Sequence, residues 1–123
     1  MSRILNLYTE PVRIFTTSIY ERNAKRLLKS DEKAAMEQAI AADPENHPVI
    51  PGLGGARKAR WSRQGMGKSG GVRTIYYYYR AASSELHFVL VYAKNEQTDL
   101  TPEQWKQVTK VVEVIKHGKK GNN

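Results

Sequence analysis

Between Tyr20 and Ile40 the apolar residues recur at helical spacing, and from Val49 to Tyr92 they recur at every second position. The period therefore switches from helical to strand-like near the middle of the chain. Tyr20, Ala24, Leu27 and Leu28 share one face of a helix predicted over Ser18–Lys29, whose start is marked by Ser18 and Glu21 at capping-box spacing. Ser30 is the expected cap of a second helix with Ala35, Met36 and Ile40 as its stripe, closed by the breaker run Asp43–Pro48. Their short join predicts a helical hairpin. Ahead of it, Pro11–Phe15 alternates Val12 and Ile14 with Arg13 and reads as a short first strand.

In the second half, Ala56–Trp61, Gly71–Arg80 and Glu85–Tyr92 are rich in aromatic and β-branched residues and are separated by turn-forming runs, which predicts a three-stranded antiparallel meander. A last helix opens at Thr101, with Pro102 in its first turn and Gln104 three residues after the threonine. Trp105, Val108, Val112 and Ile115 form its apolar stripe, Gly118 is its expected end, and residues 117–123 read as a frayed tail. The order strand, helix, helix, three strands, helix gives an α+β class, a small antiparallel sheet carrying an N-terminal helical hairpin and a C-terminal helix. No internal repeat or linker divides it, so residues 1–123 read as one domain.

Composition narrows the function. Lys plus Arg is 20 against 12 for Asp plus Glu, a formal charge of +8 on 123 residues, which favours a polyanionic partner such as RNA or DNA. With no cysteine there is no disulfide, thiolate nucleophile or zinc–thiolate site, in keeping with a reducing cytoplasm. The first fifteen residues, broken by Asn6, Glu10 and Pro11, are too polar for a membrane span or secretory signal, and a soluble, unexported protein is expected.

The segment Gln64–Arg73, QGMGKSGGVR, contains both a G-x-G-x-x-G pattern and the dipeptide pair GKS. A dinucleotide fingerprint needs a helix after the glycines, and here a strand follows. A phosphate-binding P-loop needs a glycine five positions before Gly67, where Ser62 stands. The glycines therefore read as a hairpin tip.

The charge around them needs another reason. No acidic residue occurs between Glu45 and Glu85, while Arg57, Lys58, Arg60, Arg63, Lys68, Arg73 and Arg80 supply seven cations. Strand alternation puts Lys58 and Arg60 on one face, and Arg73 on a face with Ile75 and Tyr77. Should those faces coincide, three cations converge and can hold a phosphate or stabilise the added charge of its transition state. Of Tyr76–Tyr79 only two rings reach either side, Tyr76 and Tyr78 packing on a helix or the other pair doing so in their place, and Tyr92 is the better candidate for base stacking. His47, His87 and His117 are scattered, so no metal site is expected.

The blocks GLGGARKARW, GKSGGVRTIYYYY and VYAKNEQTDLTPEQ, within Gly52–Gln104, closely resemble the HigB/RelE-type toxins of bacterial toxin-antitoxin modules. The resemblance implies a small basic endoribonuclease that enters the ribosomal A site and cuts translated mRNA without metal or cofactor, by attack of a ribose 2′-OH on the adjacent phosphate. It places the family's basic pair on Lys58 and Arg60, with Arg57 beside them, and its central arginine on Arg73, the expected clamp of the scissile phosphate. Lys94 joins these as the expected base, with Tyr92 and Glu96 as rivals. The chain has AKNEQTDL where well-studied RelE-type toxins carry an arginine and a late tyrosine, as in the HigB-like branch. Arg57, Arg63, Lys68, Tyr92 and Asn95 are expected to contact RNA or ribosome, and Asp99 to cap the last helix or fix Lys94. The resemblance further implies a helix-turn-helix antitoxin of the HigA type, with operator DNA bound only through their complex. The alternatives are a ParE-like gyrase poison on the same scaffold, which would not need converging cations, and a nucleic-acid-binding module without catalysis.

Overall fold

The computed structural model describes residues 12–63, 70–80 and 83–121. Their elements run β1 (Arg13–Thr16), α1 (Ser18–Leu27), α2 (Ser30–Ala42), β2 (Arg57–Trp61), β3 (Val72–Tyr79), β4 (Glu85–Ala93) and α3 (Pro102–Gly121). The four strands form one sheet in the order β1-β4-β3-β2. The α+β class and the β2-β3-β4 meander follow the sequence reading, but the sheet is mixed: β1 runs parallel to β4 along its free edge. The helical hairpin explains that direction, because it carries the chain away from β1 before the meander returns β4 alongside.

One residue fixes the start of the hairpin. Thr17, rather than Ser18, caps α1: its Oγ1 accepts from the Tyr20 N–H at 3.0 Å and donates to the Val89 carbonyl at 2.7 Å. A hydroxyl that caps a helix while bonding a neighbouring strand ties α1 to β4. The second helix is capped by Lys29, not Ser30, with the Lys29 N–H donating to Glu32 Oε1 at 3.1 Å. At α3 the predicted box forms as read, Thr101 N–H to Gln104 Oε1 at 3.0 Å and Gln104 N–H to Thr101 Oγ1 at 3.1 Å. That helix continues through Gly118 to Gly121, past its expected end. A single helical glycine costs only about 1 kcal/mol relative to alanine, and no proline follows to stop the turn.

Two apolar layers sandwich the sheet. On one side α1 and α2 bury Tyr20, Ala24, Leu27, Met36 and Ile40 against Ala59, Val72, Tyr76, Phe88 and Val91. On the other, α3 buries Val108, Val112 and Ile115 against Leu53, Ile75, Tyr77, Leu90 and Tyr92. Both ring pairs meet helices: Tyr76 lies in the first layer, its hydroxyl donating to the Pro44 carbonyl at 2.7 Å, with Tyr78 at that layer's edge, while Tyr77 packs in the α3 layer. Covered on both faces, β4 is buried along almost its whole length. A bulge skips Val89, pairing Ile75 with Leu90 and Tyr76 with Phe88, so Val89 and Leu90 both enter the α3 layer.

Candidate functional site

The register of β2 on β3 settles whether the cationic faces coincide. Lys58 lies opposite Ile75, and Arg60 opposite Arg73. Arg73 in turn lies opposite Tyr92 on β4. Directly paired residues share a face, so Lys58, Arg60, Arg73 and Tyr92 all stand on the α3 side of the sheet. The convergence expected from alternation is present.

The acid-free run separates its cations by partner. Arg57 points to the hairpin side, and its guanidinium donates to the Glu45 and His47 carbonyls at 3.0 and 2.6 Å, pinning the loop after α2. Arg63 donates to the carbonyls of Gly70 and Leu27 and ties the edge of the β2–β3 connection to the end of α1. Arg80 pairs with Glu45 at 3.5 Å. Lys58 faces Asp99 with Nζ to Oδ1 at 3.8 Å. Arg73 donates to the Val72 carbonyl at 3.2 Å, and among the described residues no carboxylate pairs with Arg60 or Arg73. Lys68 and the glycine-rich turn lie outside the described residues.

This sorting separates charge that holds the fold from charge that is free. Arg57, Arg63 and Arg80 tie down loops, whereas two arginines placed side by side without counterions repel each other across the ladder. Such an arrangement lowers its energy by taking an anion.

Three expectations change here. Tyr92 is only 3% exposed, its ring within the α3 core, so it has no free face on which to stack a base. Burial raises the pKa of its phenol above the usual value, Asp99 adding and Arg73 opposing, which makes it a poorer base. Its hydroxyl is buried with no hydrogen-bond partner among the described residues. Glu96 is held in a two-point ion pair with Arg26 at 3.0 and 3.2 Å, and that bond lowers its pKa. A carboxylate so engaged is a weak proton acceptor. Asp99 does not cap α3, which Thr101 does, and among the described residues its ion-pair partner is Lys58.

Lys94 and Asn95 are exposed in the turn that follows β4, where the Lys94 N–H donates to the Gly71 carbonyl at 3.0 Å. That bond sets the start of the turn beside the beginning of β3, close in sequence to Arg73. No group of three or more His, Asp or Glu able to hold a metal occurs among the described residues.

Sequence reasoning missed a cleft of about 310 Å³ beside this row, lined by Ile50, Lys58, Asp99, Leu100 and Trp105. Trp105 read as the first residue of the α3 core stripe, yet it is 39% exposed. Its place in the first turn of α3 was the available signal. A larger hollow of about 490 Å³, lined by residues such as Arg22, Lys25 and Lys33, lies on the helical hairpin, across the sheet from Arg73.

The described residues thus form a small α+β domain with two arginines side by side on one sheet face and, among those residues, no carboxylate on either. Residues 12–121 match the family described as the RelE toxin of the RelE/RelB toxin-antitoxin system, and the chain belongs to that family. It is the toxin of a toxin-antitoxin pair, and its partner is an antitoxin. No helix among the described residues is long and apolar enough to cross a membrane.

Proposed function

We propose that this toxin is an endoribonuclease that acts on mRNA during translation in the cytoplasm, by metal-independent attack of a ribose 2′-OH on the adjacent phosphate. The observation that carries this reading is the row Arg60–Arg73–Tyr92 with Lys58 beside it, a set of cations on one face around two arginines that lack a carboxylate. Membership of the RelE family supports the same reading.

In this mechanism Arg73 and Arg60 bind the non-bridging oxygens of the scissile phosphate and stabilise the added negative charge as the fifth bond to phosphorus forms. The 2′-oxygen attacks, its proton passes to a base, and the bond from phosphorus to the 5′-oxygen breaks as that oxygen takes up a proton. The products are a 2′,3′-cyclic phosphate and a 5′-hydroxyl. Lys94 is assigned the base, since Glu96 is committed to Arg26 and Tyr92 is buried. Lys58, held toward the cleft by Asp99, is assigned the acid at the leaving oxygen. Asn95 stands beside Lys94 in the exposed turn and is a contact for RNA or ribosome. The antitoxin is proposed to be of the helix-turn-helix, HigA-like type, with operator DNA reached through the complex.

The test is primer extension on a defined mRNA incubated with the purified protein, with and without translating ribosomes. New 5′ ends that appear only with ribosomes support the reading. Their absence with folded protein overturns it and directs attention to gyrase inhibition or to nucleic-acid binding without cleavage.

A further inference from the structure

The cleft beside the cationic row has a chemistry of its own. Trp105 offers a partly exposed indole, Ile50 and Leu100 supply apolar walls, and the carboxylate of Asp99, 84% exposed in its side chain, stands at the rim against Lys58. At about 310 Å³ the cleft falls at the small end of single-ligand sites. The indole packs on Gly52 so closely that a Cβ there would meet Cζ2 at 3.2 Å, and Gly52 itself has φ +86°. Glycine is therefore needed at this position twice over, for its backbone conformation and for the ring beside it.

The cleft is continuous with the phosphate site through Lys58. Lys58 and Arg60 are two residues apart on one strand face, so their Cα atoms stand about 7 Å apart. A nucleotide whose phosphate lies on Arg60 and Arg73 can thus extend its base past Lys58 into the cleft.

We propose that the Trp105 cleft is a nucleobase subsite that favours amino-bearing bases, adenine, cytosine and guanine, over uracil. The inference rests on the nuclease reading for the identity of the polymer. A base stacks on the indole, since every base has a π face and stacking on tryptophan does not depend on sequence. The Asp99 carboxylate has acceptors only, so it takes hydrogen bonds from an exocyclic amino group. Uracil has no amino group, and its single N–H is flanked by two carbonyl oxygens that a carboxylate repels. Lys58, at the loose distance of 3.8 Å, leaves the Asp99 oxygens room to accept a base. Selection is thus by rejection of uracil as much as by attraction to the others.

The test is direct binding, independent of cleavage. In a Trp61→Phe background, where Trp105 is the remaining tryptophan, the protein is titrated with the 2′-deoxy dinucleotides of adenine, cytosine, guanine and uracil, and indole fluorescence is followed. The expected result is quenching with affinity roughly tenfold greater for the three amino-bearing dinucleotides than for uracil. Asp99→Asn should remove that difference; Trp105→Leu and Trp105→Phe, which lack the indole reporter, are titrated by calorimetry in the Trp61-containing protein, where Trp105→Leu should weaken all four and Trp105→Phe restore them. Circular dichroism verifies that each variant is folded, and the exposure of Asp99 makes its variant the safer one. Equal affinity for all four, or discrimination unchanged in Asp99→Asn, overturns the proposal. Mapping cut sites on translating ribosomes then separates the two readings. Cleavage with a site profile unmoved by Asp99→Asn leaves the nuclease standing without this subsite; base discrimination in a protein that never cuts leaves the subsite standing without the nuclease.

Discussion

Arg60 and Arg73 sit directly opposite one another across the β2–β3 ladder, two like charges on one face with no carboxylate on either among the described residues. Opposed like charges destabilise a sheet by roughly 0.2–1 kcal/mol. Arg60→Thr should therefore raise stability by about 0.5 kcal/mol, a shift of roughly 2 °C in Tm, while reducing cleavage. Thermal melts at low salt and at 1 M salt verify the cause, because the gain should shrink once the screening length falls to about 3 Å. A variant that is less stable than the parent at both salts would show that the pair is not repulsive.

Glu96 is engaged by Arg26 in a two-point ion pair. Glu96→Gln is expected to cleave at the parental rate, whereas loss of a general base would slow the reaction at least about a hundredfold. The depressed pKa also sets a pH window. A carboxylate whose folded pKa lies below its unfolded value contributes stability above the unfolded pKa, about 4.3, and loses it as pH falls through the folded one. The stability difference between parent and Glu96→Gln should thus be present at neutral pH and vanish on acidification below the carboxylate range, as read by urea titrations along that series.

The buried, unpartnered hydroxyl of Tyr92 predicts an unusual gain. A buried polar group without a partner carries a penalty of about 1–3 kcal/mol, so Tyr92→Phe should be as stable as the parent or more so, by on the order of 1 kcal/mol, with cleavage within a few fold. Tyr92→Ala opens the core instead and should cost about 3–5 kcal/mol. Chemical denaturation of both variants distinguishes these outcomes, and a destabilised Tyr92→Phe would mean that the hydroxyl has a partner.

How far the sequence revealed the site depended on whether position alone determined contact. Lys58, Arg60 and Arg73 were legible because alternation fixes a strand's faces and only the register was missing. Tyr92 was not, because β4 is covered on both sides and its near-continuous apolar run hides which residues are exposed. The parallel pairing of β1 with β4 joins residues some seventy positions apart, beyond any local pattern. The helix starts were misplaced by one residue because adjacent threonine, serine and lysine can each stand at a cap, and the Val89 carbonyl selects Thr17. Asp99 was matched to a nearby lysine for a related reason: its ion-pair partner among the described residues, Lys58, comes from β2, distant in sequence.

That dual use of Thr17 makes it a sensitive position. Thr17→Ala removes the cap on α1 and strands the Val89 carbonyl, and the combined loss should be about 2–3 kcal/mol. Thr17→Ser keeps both bonds and should recover most of it. Equilibrium unfolding of the pair measures the difference, and equal stabilities of the alanine and serine variants would remove the hydroxyl from the account.

The central claim is that Arg73 acts on the transition state of RNA cleavage rather than merely on RNA binding, and the most direct test is single-turnover cleavage of ribosome-bound mRNA by the parent and Arg73→Ala. With saturating protein the variant should cut at least about a hundredfold more slowly, while its affinity for the ribosome falls only by the share of one phosphate contact. Parental cleavage at saturation, with the whole defect in binding, would contradict the assignment and leave the arginine row as a docking surface alone.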